Sequence, residues 1–309
     1  VFISFSIGVA LCLCAGEQAD DMIKNAEIAM YKAKSSGKKT VSFFDDELSI
    51  KTHRLYDLNM KMAHALKNNE FSLKYQPMWD AKTKKPCAME ALIRWHNPIL
   101  GEVSPSEFIT IAEINGLIHP ISEWVLRQAC LDYLAITAEV PTHTLMLSIN
   151  ISVSLLEDEI FLGIVKDFFR EINIDSHNVI FEITETKLMQ QPVNAIKLMH
   201  KFKEMGIRFA LDDFGIAYSS IRYLKYLPVS FIKIDQIFVE HITQNKDDKL
   251  IIKAIIELAH NMNIQIITEG IENEAQFNIL KELGSEYIQG YYFAEPLCQT
   301  EVIRKLKAL

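Results

Sequence analysis

Phe209-Ala-Leu-Asp-Asp-Phe-Gly-Ile-Ala-Tyr-Ser-Ser220 is an apolar run that ends abruptly in two adjacent carboxylates. Ile207 to Leu211 reads as a buried strand, which puts Asp212 and Asp213 where that strand leaves the core. Strand side chains alternate between faces, so the two acids point in different directions and suit two ions, or one ion and a structural contact. The plainer reading is a turn followed by a helix N-cap, for which Asp and Gly are equally suited. What argues for chemistry is recurrence, because apolar runs ending in an acid or an amide return along the chain.

Outward from that stretch, short apolar runs alternate with helical periodicity. Strands are predicted over Phe71 to Met78, Cys87 to Trp95, Leu145 to Ile151, Val179 to Thr184, Ile207 to Leu211, Val229 to Ile234, Gln265 to Thr268 and Glu286 to Gly290. Helical spacing of apolar residues separates most of them, from Pro105 to Ile114 through to Thr300 to Leu309. Eight strands with interleaved helices fit a β/α barrel better than an open doubly wound sheet. The first two strands are joined by a short polar link, Asp80 to Pro86, with no helix. That predicts a hairpin, and so one antiparallel strand. No Gly-rich phosphate loop follows any strand, which counts against a dinucleotide fold.

Ahead of the barrel, Val1 to Cys14 reads as a strand whose sheet partners are missing, and Gln18 to Ser36 as a helix. One strand and one helix cannot close a core. Ser49 to Asn69 reads as a connecting helix striped by Leu55, Leu58, Met62 and Leu66. The expected fold class is α/β, a modified TIM-like (β/α)8 barrel with one antiparallel strand plus a short α/β N-terminal remnant. The expected division is residues 1–46, a linker helix over 47–69, and the barrel over 70–309.

The chain has 309 residues, 49% of them apolar and 23% charged, with 32 Lys and Arg against 40 Asp and Glu, a formal charge of −8. An acidic chain is a poor binder of polymeric nucleic acid, which needs basic surface to neutralise phosphates. An anionic substrate here would need bound cations to reverse the local field. The five cysteines, Cys12, Cys14, Cys87, Cys130 and Cys298, lie mostly in apolar runs and read as reduced packing residues of a cytoplasmic chain. No run approaches the length of a membrane span and no signal-like start is present. The histidines carry little signal; Asp175-Ser-His177 precedes its strand instead of following it.

In a barrel, chemistry collects at the carboxyl ends of the strands. The predicted strands deliver Glu90, Asn150, Glu182 with Glu185, Asp212 with Asp213, Lys233 with Asp235, Glu269 with Glu272, and Gln289 to those ends. Alternation can place Ser148 with Asn150, Ile180 with Glu182, Ala210 with Asp212, and Ile267 with Glu269 on one face. So many acids inside apolar runs would repel one another without cations. Oxygen donors without His or Cys point to Mg²⁺ or Mn²⁺, and Asp212 is placed to bridge two such ions, which would polarise a phosphoryl group and activate water. Lys233 would then hold that water or the developing charge, and Glu269 is the carboxylate left over as general base. A barrel glycosidase using a pair such as Glu90 and Glu269 would leave Lys233, Asn150 and the Asp pair unemployed.

Taken together, Glu90-Ala-Leu-Ile-Arg-Trp, Ser-Ile-Asn150-Ile-Ser, Glu182-Ile-Thr-Glu185, Asp212-Asp213-Phe-Gly, Ile-Lys233-Ile-Asp235, Glu269-Gly-Ile-Glu272 and Gln289-Gly-Tyr resemble the EAL-domain cyclic di-GMP phosphodiesterases over about Phe71 to Leu309. The resemblance implies two Mg²⁺ or Mn²⁺ ions and hydrolysis of cyclic di-GMP to linear 5'-pGpG. It implies Glu90, Asn150, Glu182 and Asp212 on one ion, Asp212, Asp213 and Glu269 on the other, and catalytic roles for Glu269, Lys233 and Asp213. It implies substrate contacts from Gln76, Leu92, Arg94, Asp235, Glu272, Gln289 and Pro296, a loop anchored by Glu185, and a homodimer through the barrel. In place of the Thr and second Gly usual after Asp213-Phe-Gly, this chain has Ile216 and Ala217, which puts loop order and dimer coupling in question and leaves a weak or inactive cyclic di-GMP receptor as the alternative. Ser6-Ile-Gly-Val-Ala and Asn25-Ala-Glu-Ile-Ala-Met-Tyr-Lys-Ala-Lys resemble the C-terminal part of a GGDEF domain. The GTP-binding signature of such a domain is absent, so no cyclase activity is expected of this chain. The parent would carry upstream sensor or GGDEF segments, with membrane anchoring there if anywhere.

Overall fold

β-branched and aromatic residues fill the runs that become strands, and the polar links between them become turns. The computed structural model describes residues 5–11, 19–35, 40–44, 49–141, 144–188, 192–216 and 221–309. The chain divides into two compact units, residues 1–72 with 94–121, and residues 73–93 with 122–309.

The first unit opens with β1 (Ile7–Val9), α1 (Ala19–Ser35) and β2 (Val41–Phe43). β1 and β2 pair in parallel, Ile7 opposite Val41 and Val9 opposite Phe43, so the segment is a βαβ unit. α1 buries Ile28, Ala29, Tyr31 and Ala33, and α2 (Ser49–Ala65) buries Leu58, Met62 and Ala65. The strand expected over Val1 to Cys14 is three residues long where it is described; Cys12 and Cys14 lie outside the described residues. β2 was not anticipated, because three residues are too few to show a period.

β3 (Phe71–Asp80) and β4 (Pro86–Asn97) are the expected hairpin, with Asp80 N–H donating to Lys85 O at 2.9 Å. β5 (Gly101–Val103) folds back antiparallel on the end of β4, and α3 (Pro105–Asn115) starts on Pro and stops at Gly116, whose φ of 73° ends the helix. Phe71, Trp95 and Phe108 pack there with ring centroids 5.6 to 5.8 Å apart. The Glu70 carboxylate accepts from Trp95 Nε1 at 2.9 Å and Asn97 Nδ2 at 2.8 Å.

α4 (Ile118–Glu139), which belongs to the second unit from Ser122 onward, leads to β6 (Met146–Asn150), and α5 (Glu159–Ile172) to β7 (Val179–Thr184). α6 (Glu185–Leu188) and α7 (Pro192–Glu204) precede β8 (Arg208–Phe214), and α8 (Ile221–Leu224) precedes β9 (Phe231–Ile234). After α9 (Gln236–Val239) and α10 (Lys246–Asn261) come β10 (Gln265–Thr268), α11 (Glu274–Leu283), β11 (Tyr287–Ile288) and α12 (Gln299–Lys307). The strands pair in the order β3-β11-β10-β9-β8-β7-β6-β4, and a β3–β4 pairing closes the ring. β3 runs antiparallel to β11, while β4, β6, β7, β8, β9, β10 and β11 are parallel neighbours. The fold is a modified TIM-like α/β barrel with one reversed strand.

Strand alternation turns this ring into layers. One layer is apolar: Met78, Ala88, Ile180, Ala210, Phe231 and Ile267 pack together, with Cys87, Met146 and Tyr287 against them. Every strand of the closed ring is represented in it. The next inward-facing position on each strand lies two residues away, and that position is polar all the way round: Gln76, Glu90, Ser148, Glu182, Asp212, Lys233, Glu269 and Gln289.

Candidate active site

At the centre of the polar layer is the Lys233 ammonium. Its Nζ lies 2.6 Å from Glu182 Oε2, 2.7 Å from Glu269 Oε1, 3.3 Å from Asp212 Oδ1 and 3.5 Å from Glu90 Oε2. Lys233 and Glu182 are each 1% exposed, and Glu90 is also buried. The backbone ladder carries the layer past the formal strand ends, with Glu269 N–H donating to Ile234 O at 3.0 Å and Gln289 N–H to Thr268 O at 2.8 Å.

Amides complete the ring around Glu90. Asn150 Nδ2 donates to Glu90 Oε1 at 2.7 Å, and Gln289 Nε2 donates to Glu90 Oε2 at 2.7 Å and to Gln76 Oε1 at 2.9 Å. Gln76 Nε2 in turn donates to Ala294 O at 3.1 Å. Burial would raise Glu90, but the Lys233 charge and the amides of Gln289 and Asn150 outweigh it and hold this carboxyl below the usual range. Glu182 has the opposite balance: burial, then the Glu90 charge, push it well above that range against the pull of Lys233. Burial would lower Lys233, yet the charges of Asp212, Glu182, Glu269 and Glu90 keep it firmly protonated. Four carboxyl groups around one ammonium leave an acidic floor in which like charges crowd one another.

Above this floor opens a cavity of about 350 Å³, lined by Glu90, Asp212, Lys233 and Glu269 below and by Gln76, Leu92, Asp235, Glu272 and Gln289 around them. Glu269 is about a fifth exposed on this wall, and burial nonetheless pushes its carboxyl up to about 8. Gln236, Gly270, Gly290 and Tyr291 also line it. Sequence reasoning had not singled out Gln236, and had Tyr291 only as the end of the Gln289-Gly-Tyr motif with no role, since both lie beyond the strands where alternation gives no guidance; nearness to Asp235 and Gln289 was the available signal. Gly290 is required here, because a Cβ at this position would lie 2.1 Å from Ile271 O. Its absence lets residues 289–292 lace onto the 269–272 loop, through Ile271 N–H to Gln289 O at 3.2 Å and Tyr292 N–H to Ile271 O at 2.9 Å.

Other singled-out residues lie off the cavity wall. Glu182 is beneath it, and Asn150 reaches the floor through Glu90. Asp213 does not follow a strand that ends at Leu211, as the sequence suggested: β8 continues to Phe214 through a register shift, with Asp213 in the left-handed region at φ 56°. Its carboxyl faces Asp235, and burial, then the charges of Asp212 and Asp235, push it up to about 6. Glu185 is buried at the start of α6 and its Oε2 accepts from Gly215 N–H at 3.3 Å. Ile216 is 52% exposed, and Ala217 lies outside the described residues. Pro296 sits two residues beyond Ala294, and Arg94 belongs to the first unit.

The donor set is chemically suited to hard divalent cations, being carboxylate and amide oxygen throughout. Asp212 Oδ1 is buried and receives no hydrogen bond, although the Lys233 charge is 3.3 Å away, so it has acceptor capacity to give. Among the described residues no group of three or more His, Cys, Asp and Glu side chains is spaced as a ready metal cage. The carboxylates close on Lys233 instead.

The EAL domain family pattern matches residues 60–296, more than half of the chain. The chain belongs to the EAL-domain family. This EAL chain is 32% identical over 293 residues to the cyclic di-GMP phosphodiesterase NbdA of Pseudomonas aeruginosa, covering 94% of this chain and 37% of that protein. It is 32% identical over 301 residues to the cyclic di-GMP phosphodiesterase PdeR of Escherichia coli, covering 96% and 44%. The EAL chain thus spans well under half the length of these relatives. Among solved structures, the PaMucR phosphodiesterase in complex with c-di-GMP superposes with a TM-score of 0.75 at 31% identity, covering 80% of this chain and 99% of that one. Among the described residues no helix is long and apolar enough to cross a membrane.

Proposed function

We propose that this EAL chain hydrolyses one phosphodiester bond of cyclic di-GMP to linear 5'-pGpG and so lowers this second messenger. The observation that carries the reading is the acidic floor: four carboxyl groups converge on Lys233 beneath a cavity whose walls are amide and acid. An anionic phosphodiester does not enter such a site unless cations compensate the floor. On this reading Glu90, Asn150, Glu182 and Asp212 would hold one Mg²⁺ or Mn²⁺, and Asp212, Asp213 and Glu269 the other. Bound there, the pair would neutralise the floor, polarise the phosphoryl group and lower the pKa of water so that it can give up a proton and attack as hydroxide.

The side chains supply the rest. Glu269, the floor carboxylate most open to the cavity apart from its contact with Lys233, takes the proton of the attacking water. Lys233 holds that water and the charge that develops on it. Gln76, Leu92, Asp235, Glu272 and Gln289 line the space for the nucleotide, with Glu272 suited to the N–H edge of guanine, while Arg94 and Pro296 are proposed contacts carried by the family resemblance. Incubation with cyclic di-GMP and Mg²⁺ or Mn²⁺, followed by chromatography for pGpG, tests the proposal. Steady product formation is expected. Tight binding with no product over hours would favour a receptor instead, a reading supported by Ile216 standing exposed in the loop that Glu185 anchors.

Residues 1–46 are proposed to be the C-terminal part of a GGDEF-like domain, 47–69 a linker helix and 70–309 the EAL barrel, with homodimerisation through the barrel and upstream sensor or GGDEF segments in a cytoplasmic parent. The parallel β1–α1–β2 unit supports the first of these, since it is an α/β fragment distinct from the barrel.

A further inference from the structure

Seven of the eight side chains in the polar layer are acid, amide or ammonium; the eighth, from β6, is Ser148. It is fully buried, opposite Glu90 on one neighbouring strand and Ile180 on the other. Its hydroxyl donates to Glu182 Oε1, while Lys233 Nζ donates to Glu182 Oε2 at 2.6 Å. The Glu182 carboxylate is therefore gripped at both oxygens, one by a cation and one by a neutral group. We propose that Ser148 is a positioning residue, which fixes the plane of the Glu182 carboxylate for divalent-cation binding. The inference rests on the metal-dependent reading above.

The chemistry of the hydroxyl is what makes this position informative. A buried carboxylate held at one oxygen only can turn about its last bond and present either edge to its neighbours. A second lysine at 148 would hold Glu182 as firmly but would cancel part of the negative charge that draws divalent ions into the floor. An apolar residue would leave Glu182 Oε1 without this donor in a site closed to water, a costly state for a carboxylate. Serine alone of these fixes geometry and leaves the charge in place. This is the part that outer-shell hydrogen-bond donors play around ligating carboxylates, and losing one typically costs about 10–100-fold in metal affinity.

The test measures Mn²⁺ binding to the whole chain through the paramagnetic resonance signal of the free ion, without substrate. S148A is expected to bind Mn²⁺ about 10–100-fold more weakly than the unaltered chain, with S148C, a weaker donor of similar shape, in between. I180V, on the adjacent strand and without polar contacts, serves as the packing control and is expected to leave the affinity unchanged. If S148A and S148C both bind as the unaltered chain does, or lose no more than I180V, Ser148 is structural only and the proposal is overturned while the metal-dependent reading stands. If the unaltered chain takes up no Mn²⁺, both fall. S148C keeps the question answerable should S148A not fold.

Discussion

Two layers of one barrel, separated by two residues on each strand, have opposite chemistry. Met78, Ala88, Ile180, Ala210, Phe231 and Ile267 form a dry plug, whereas Gln76, Glu90, Glu182, Asp212, Lys233 and Glu269, each two positions away, form a floor of charge and amide. The backbone ladder is common to both, so the difference teaches that stability and chemistry are assigned by strand position and not by separate segments. The plug gains free energy by removing apolar surface from water. The floor accumulates like charge that only Lys233 and its amides offset, which is an arrangement stability alone would not select.

The sharpest way to break this comparison is at Glu269. E269Q is expected to lower turnover by about 10²–10⁴-fold, the usual contribution of a positioned base, while cyclic di-GMP binding by calorimetry is retained. Turnover surviving in E269Q would remove it as the base. Two residues before Lys233, F231A removes a fully buried ring that packs 5.8 Å from Tyr287. It is expected to cost about 3–5 kcal/mol in denaturant unfolding, with turnover per folded molecule little changed. If F231A instead abolished turnover in a fully folded sample, the two layers would not be separable.

Smaller effects sharpen the contrast. Restoring the usual residues in the double variant I216T/A217G is expected to raise turnover a few-fold with no change in Mn²⁺ affinity, since Gly215 beside them donates to Glu185 at 3.3 Å, a residue outside the floor. A change in Mn²⁺ affinity would mean that loop and floor are one unit. Smallest of all is the response of Cys87, half-buried against the plug. Burial, then the Asp80 charge, push its thiol up to about 12, so at pH 8 only about 1 in 10⁴ molecules carries the reactive thiolate. Native alkylation by iodoacetamide, followed by mass spectrometry, is expected to label Cys87 slowly; rapid labelling would mean that its surroundings do not hold the thiol protonated.

The sequence made the floor easier to see than the layering beneath it. A charged residue closing an apolar run is conspicuous, which is why Glu90, Glu182, Asp212, Lys233 and Glu269 stand out before any coordinates. That Lys233 is the point on which the others converge is not legible, because convergence depends on ring closure. Ser148 could be placed on the same face as Asn150, but small hydroxyls are common in strands and nothing local marks this one as a partner of Glu182. The barrel itself was legible from the alternation of runs and helices and from the helix-free Asp80 to Pro86 link. Its edges were less so: β8 passes through Asp213 at positive φ to reach Phe214, a path no propensity would favour, and the three-residue β2 and β5 are too short to carry a pattern.

The reversal of β3 sets where the barrel is entered. Had that first strand run with the rest, the chain would begin at the plugged end and meet the cavity only after crossing the core. Running against them, it reaches Gln76 before Met78, so the polypeptide threads in through the open side. An insertion in β3 ahead of Gln76 would therefore disturb the rim of the cavity before it disturbed the plug.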